Sequence, residues 1–553
     1  RNAGVESTLD HSSDRAVEGW KHRVESNTKT YNESPLAARL GKQFTCRNFL
    51  HILKGMNGDH ASTEKGTARG VATWKHDDAI DELGENALGA MSVRDLVLYL
   101  QQWNNKKIAD AGGMEAWEAL SPQEQSERDK QLMSELVQAL GQEAYNVLPS
   151  EDRRRLDLFI WAGCCMHKDQ NSFKGGNTEM MGEWERLGVP GPVLLANKAN
   201  SVALKRILEP GVKVPGALTE LEQKAFEDST RGGAKLVAIA GAILNNKDSK
   251  KGQGDKHQEF MTHRVGRKHL RFPDTNNTRF GSHGLAAAEL IKFLEQYREL
   301  IDVIEYGKTH PGLTNIEKNL RDALEDVPTL TELCAMTLYQ QAITHPYMRV
   351  VRGPGAEATN ALDLGPLHVD VRKHIEEIIE NPDVLVSADI SHVTASLDGQ
   401  EWEDPAAIDA VLRLMPTLPH LKEIVVAFFR GALATWICFS SEFAPGGLID
   451  EASATERQLA WMPATNDANE GSLGQLRVVM LDHPTLTLHQ FNAAAMYNQN
   501  DTQDFMDALF EWPDHLYIMR LARKEDASGI ERKRKAELAE FRIRLAAMKK
   551  AKE

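Results

Sequence analysis

The chain has 553 residues, with 65 Lys and Arg against 80 Asp and Glu, a formal charge of −15 and a pI near 5.7. That length exceeds what one compact core organises, so two or more domains, or one domain carrying a large insertion, are expected. The acidity excludes a chain that coats nucleic acid with charge spread over its whole surface. Five cysteines in such a length exclude a disulfide scaffold and leave a reducing compartment, nucleus or cytoplasm, as the expectation.

The opening RNAGVEST begins at Arg1 rather than Met and carries no targeting pattern, so it reads as a chain continued from upstream. LDHSSDRAVEGW, with Asp10 and Asp14, reads as a loop entering a helix. Phe49 to Met56 is the first strand-like run. Between about 85 and 160 the pattern is helical: Leu132, Leu136, Val137 and Leu140 recur on one face, and SPQEQ at 121–125 has a Ser cap, a first-turn Pro and acidic or amide residues behind it. LPSEDRRRL at 148–156 repeats that start signal, and Leu156 to Cys165 is a second strand candidate. From Gly176 to about Asp450 helical signals dominate, with breaks at PGVKVPG (210–216) and GPG (353–355). Leu290, Leu294, Tyr297 and Ile301 form one stripe, and two helices meet at Pro328. Val384 to Ile390 is a third strand candidate. The longest apolar stretch, Ile424 to Phe439, is interrupted by Arg430 and falls short of the roughly 20 residues that span a bilayer, so no membrane segment is expected. A charged helix begins at Ile530.

Two basic patches stand against the overall acidity. Residues 245–283 hold nine Lys or Arg against four Asp or Glu, Lys268 and Arg271 among them, with four histidines; RKRK occupies 532–535. Either is a local nucleic-acid contact or a solvated surface.

Three short segments could carry chemistry. In GMNGDHASTEK (55–65) the glycine-flanked Asp59 follows an apolar run and precedes helix-starting residues. A carboxylate there is placed to hold a divalent cation against a phosphate, or to cap the following helix. In FIWAGCCMHKDQNSFKGG (159–176), Cys164 and His167 are spaced as CxxH. That pair fits a buried thiol beside a hydrogen-bonded imidazole, part of a zinc site, or, with Cys165, a thiol and its base. In PATNDANEGSLGQLRVV (463–479), Glu470 falls in the first turn of a helix, where acids are common for dipole reasons alone.

Taken in order, these segments resemble the catalytic region of hAT-superfamily DNA transposases. Gly58-Asp59-His60-Ala61 is similar to the family's TDNA-like motif around its second catalytic aspartate, with His for Asn. Cys164-Cys165-Met166-His167 is similar to the CxAHxLNL motif, although Asn171 falls one place late. Arg279-Phe280 in NTRFGSH is similar to the Arg-Trp pair, with Phe for Trp, and Glu470 in NDANEG takes the place of the catalytic glutamate. The family's first aspartate and its BED-type zinc finger have no counterpart here and are expected upstream of Arg1.

The resemblance implies an α/β fold: an RNase H-like core interrupted by a large all-helical insertion, helix-rich overall. The core would occupy 1–84, 156–176 and 456–515, with helical insertions at 85–155 and 177–455 and a charged C-terminal helix over 516–553. It implies a DDE site in which Asp59 and Glu470 hold two Mg²⁺ (or Mn²⁺) ions for in-line attack on a phosphodiester. Cys164 and His167 would lie near that site, while Lys268, Arg271, Arg279 and Phe280 would contact DNA, the last two supporting an unstacked base. DNA, as transposon ends and target, is the implied partner, in a homo-oligomeric assembly. Two other readings use the same residues: a transposase-derived protein that binds DNA or protein without cutting, and an unrelated helical scaffold.

Overall fold

The structure, a computed structural model, describes residues 3–5, 10, 12–204, 219–245, 252–266, 271–275 and 281–552. It is helix-rich with small sheets and divides into two compact units. The first takes the chain up to Ala162, the segment Ser453–Met462 and the chain from Asn466 onward; the second takes Gly163–Ala452 and Pro463–Thr465. Among the described residues no helix is long and apolar enough to cross a membrane.

In the first unit two long helices, Ser62–Ala90 and Pro122–Val147, pack against one another. The second starts as its sequence dictates: the Ser121 side chain accepts from the Glu124 N–H, the Glu124 carboxylate reaches back, and Pro122 fills the first turn. Leu136 and Leu140 of the expected stripe are buried. The crossing is closed by reciprocal glycines. A Cβ on Gly84 would overlap the Val137 carbonyl, and one on Gly141 would overlap that of Ile80, so the backbones approach closer than any side chain allows.

A two-stranded sheet in this unit pairs β1 (Gly55–Gly58) with β2 (Ile160–Gly163), and the Ile160 N–H donates to the Lys54 carbonyl at 2.9 Å. The strand expected over Phe49 to Met56 is therefore displaced. Thr45 and Asn48 form a capping box that starts a helix over Cys46–Ile52, and extended backbone begins only at Gly55. The second expected strand shrinks to four residues, because Ser150–Asp157 is helical and a new helix begins at Cys165. Val384 to Ile390 is not a strand: Pro382–Val384 is a 3₁₀ turn, and the chain continues through turns to a short helix at His392–Ala395.

The second unit is built around the apolar helix Leu421–Phe439, whose Ile424, Val425, Phe428, Phe429 and Trp436 are fully buried. Its closest partner is the helix Cys165–Leu187. Here too glycines set the distance: a Cβ on Gly175 would overlap Thr435 Oγ1, and one on Gly431 would overlap the Gly175 carbonyl. The helix Val327–Tyr339 runs into a π-helical turn, Gln340–Thr344, and continues as His345–Arg352, with all five π residues buried. Tyr339 accepts a hydrogen bond from Trp436 Nε1 at 2.9 Å. β3 (Leu194–Leu195) and β4 (Thr230–Arg231) form a small antiparallel pair, Leu194 opposite Arg231.

Candidate functional site at the end of the first strand

β1 ends at the buried Gly58, and the chain turns at once into the helix Ser62–Ala90. Asp59 makes that turn. Its Oδ1 accepts from the Ala61 N–H at 2.7 Å, an Asx-type bond that stands in for a missing cap, since Ala61 occupies the cap position with no side chain to offer. Asp59 thus does serve the helix start. The bond occupies one oxygen, leaving the other for a ligand.

Two residues into the helix sits the half-buried Glu64. A Cβ on Gly58 would stand 3.0 Å from Glu64 Oε2, so the carboxylate folds back over the strand end, where glycine leaves it room. Burial raises the Glu64 acid above the ordinary carboxylate range, and the neighbouring charge of Asp59 raises it further. Around this pair stand His60, edge-on to Trp161 of β2 with ring centroids 5.5 Å apart, and Lys65, whose ammonium lies 5.1 Å from the Trp161 ring centroid. Trp161 Nε1 is buried without a hydrogen-bond acceptor among the described residues.

Two hard oxygen donors that repel one another in a partly desolvated place suit a divalent cation, which would relieve the repulsion that now raises the Glu64 acid. Among the described residues, no group of three or more His, Cys, Asp or Glu side chains is set to hold a metal ion. Glu64 was not singled out in the sequence, because an acid in a helix first turn is ordinary. The usable signal was its place three residues past the cap position, directly behind a strand-end aspartate.

Glu470 belongs to the same unit and lies in the first turn of the helix Asp467–Asp482, half-buried, with the Asn466 amide 3.5 Å from its Oε1. Its hydrogen bonds among the described residues run to Asn466, and none joins it to Asp59.

Cys164 and His167 belong to the second unit. Cys164 is the fully buried cap residue of the helix Cys165–Leu187, and burial raises the Cys165 thiol, the opposite of what a nucleophile requires. The His167 carbonyl accepts from the Asn171 amide at 2.8 Å. The next residue, Lys168, is 0% exposed; its ammonium donates to the Gly163 carbonyl at 2.5 Å and pairs with Glu442 at 2.7 Å. Glu442 in turn accepts from the Gly163 N–H at 3.3 Å. This buried pair, which no local pattern announces, fixes the turn that carries CxxH. Of the basic and aromatic residues expected to meet DNA, Arg271 is exposed, while Lys268, Arg279 and Phe280 lie outside the described residues.

No protein-family model, no curated protein and no solved structure matches the chain.

Proposed function

We propose that this chain belongs to a metal-dependent DNA-cutting protein of hAT-transposase type, with the β1–β2 pair belonging to an RNase H-like core. The observation that carries the reading is the carboxylate pair Asp59 and Glu64 at the carboxyl end of β1, where a strand and a helix start fix both side chains. A divalent cation there supplies charge neutralisation at a phosphodiester and a more acidic bound water. Asp59 and Glu64 would hold it, and Lys65, over Trp161, would meet a backbone phosphate. Glu470, in the same unit, keeps the role the family resemblance gives it, and two Mg²⁺ or Mn²⁺ ions are the expected complement. DNA is the proposed partner and the nucleus the proposed compartment.

The test is nicking of supercoiled plasmid by the full-length protein with Mg²⁺ or Mn²⁺. Asp59→Asn, Glu64→Gln and Glu470→Gln are each expected to abolish nicking while DNA binding persists. Undiminished nicking by Asp59→Asn would sink the reading. Undiminished nicking by Glu64→Gln alone would return the second carboxylate to Glu470.

A further inference from the structure

Three cationic side chains from three elements of the first unit converge on a cavity of about 230 Å³. Lys54 lies on the segment leading into β1, Lys75 in the middle of the helix Ser62–Ala90, and Arg155 on the helix Ser150–Asp157. Lys75 is only 4% exposed and so forms the inner wall, whereas Arg155 is exposed at the rim. Arg155 is close enough for its charge to act on Lys54, and its ion pair with Asp152 at 3.2 Å is an exposed and therefore weak one.

What these cations lack is a counter-charge. The Lys75 ammonium donates to the Leu50 carbonyl at 2.7 Å, and the Lys54 amine stands within hydrogen-bonding reach of it. Neither lysine has a carboxylate at ion-pair distance among the described residues. The acids whose charge reaches Lys75 are engaged elsewhere: Asp157 accepts from Tyr145 and pairs with His76 Nδ1 at 2.7 Å, and Asp78 pairs with Arg47 at 3.5 Å. Glu82, on the cavity wall, is held by His51 Nε2 at 2.8 Å. Burial, and after it the charge of Lys54, push the Lys75 ammonium down to about 8, and burial lowers Lys54 as well. A buried charge is retained in a fold when a partner of opposite sign meets it, and the partner missing here is an anion.

We propose that this cavity binds a phosphate group, its oxygens on the Lys54 and Lys75 ammonium groups and the Arg155 guanidinium. A phosphate brings nearly two negative charges at neutral pH and three oxygens to three separate cationic donors, where a carboxylate brings one charge and two oxygens. The volume would take on the order of eight waters at liquid density, which leaves room beside one phosphate group, and Leu50, Ala79 and Leu156 line the rest with carbon. A small phosphomonoester is therefore the occupant, its carbon end on that wall, and inorganic phosphate is the other source of the same chemistry. Lys54 and Asp59 flank opposite ends of β1, roughly 16 Å apart along extended chain, so the site is separate from the strand-end carboxylates and does not rest on the reading given to them.

The test is calorimetric titration of the whole chain with inorganic phosphate and with glycerol phosphate, against chloride at matched ionic strength. Saturable one-to-one binding is expected. Tighter binding of the ester would identify the ester as the ligand, and tighter binding of the free anion would identify inorganic phosphate. Lys54→Met, at a half-buried position, should weaken binding about tenfold or more, as loss of a charged hydrogen-bond partner does. A second measurement needs no variant. With limiting acetic anhydride at neutral pH, acetylation of Lys54 and Lys75 relative to the other lysines, read from peptide masses, should fall on adding phosphate and not on adding chloride, because an anion restores their protons and covers them. Asp59→Asn should leave binding unchanged, and its loss in that variant would place the anion at the strand end and overturn the cavity. Absence of binding above the chloride control also overturns the proposal, as does binding indifferent to Lys54→Met or binding that leaves both lysines as reactive as before.

Discussion

Asp169 holds its proton because the carboxylate has nowhere to be solvated. Its ordinary value is 3.8, and burial pushes it up to about 7. Below pH 4 both folded and unfolded chains carry that proton. Between about 4 and 7 the folded chain keeps it and the unfolded chain loses it, so this group makes the second unit less stable as pH rises through that window, levelling off above it. Asp169→Asn keeps an oxygen for Thr344 Oγ1 and removes the titration. Urea unfolding should find the variant more stable than the parent at pH 8, by on the order of 4 kcal/mol, and nearly equal at pH 4. Glu332, also fully buried and raised to about 7 while accepting from Trp184 Nε1 and the Gly233 N–H, keeps part of the pH slope in both proteins. An equal gap at the two pH values would contradict this account. At this scale the sequence was half legible. Asp59 stood out because glycine precedes it and an apolar run leads to it. Lys168, Glu332 and Gln340 did not, because a charged or amide residue in a helical run looks solvated until its distant neighbours are known.

Helix starts were the most legible elements, because capping is local. Ser121-Pro122 with Glu124 opens one helix, and Pro328 stands in the first turn of another beside its Asp326 cap. The strands were less so. Four-residue strands carry almost no periodicity, and Phe49 to Ile52, apolar enough for a strand, is claimed by the Thr45–Asn48 capping box. Least legible were the glycines, since a glycine inside a helical pattern reads as a weak point. Gly141→Ala tests the opposite view. Propensity alone predicts a gain of about 1 kcal/mol; the overlap with the Ile80 carbonyl predicts a net loss of about 2 kcal/mol once the helices are forced apart. Chemical denaturation separates the two by sign.

For the molecule as a whole, the first unit is assembled from three stretches of chain and the second is an excursion between them, leaving after Ala162 and closing before Ser453, with Pro463–Thr465 returning to it. Each unit has its own buried helix crossing closed by glycines, Gly84 with Gly141 in one and Gly175 with Gly431 in the other. Calorimetry should therefore resolve two unfolding transitions, Gly141→Ala lowering one and Gly431→Ala the other. A single transition lowered equally by both would show that the units melt as one. Length announced more than one body, but not where the chain crosses between them, because that depends on pairings such as Asn360 with Pro463, remote in sequence.

The π-helical turn at Gln340–Thr344 has a genetic consequence. A wide turn holds about one residue more than an α-helical turn, so it behaves as a one-residue insertion absorbed within a continuous helix. Removing a single codon there would leave a helix that is locally more regular, yet would rotate everything from His345 onward by about 100° relative to Tyr339. Tyr347 would leave its contact with the Trp436 ring, and Thr344 would lose its hydrogen bond to Asp169. Here the more ideal helix is the one that no longer fits its neighbours.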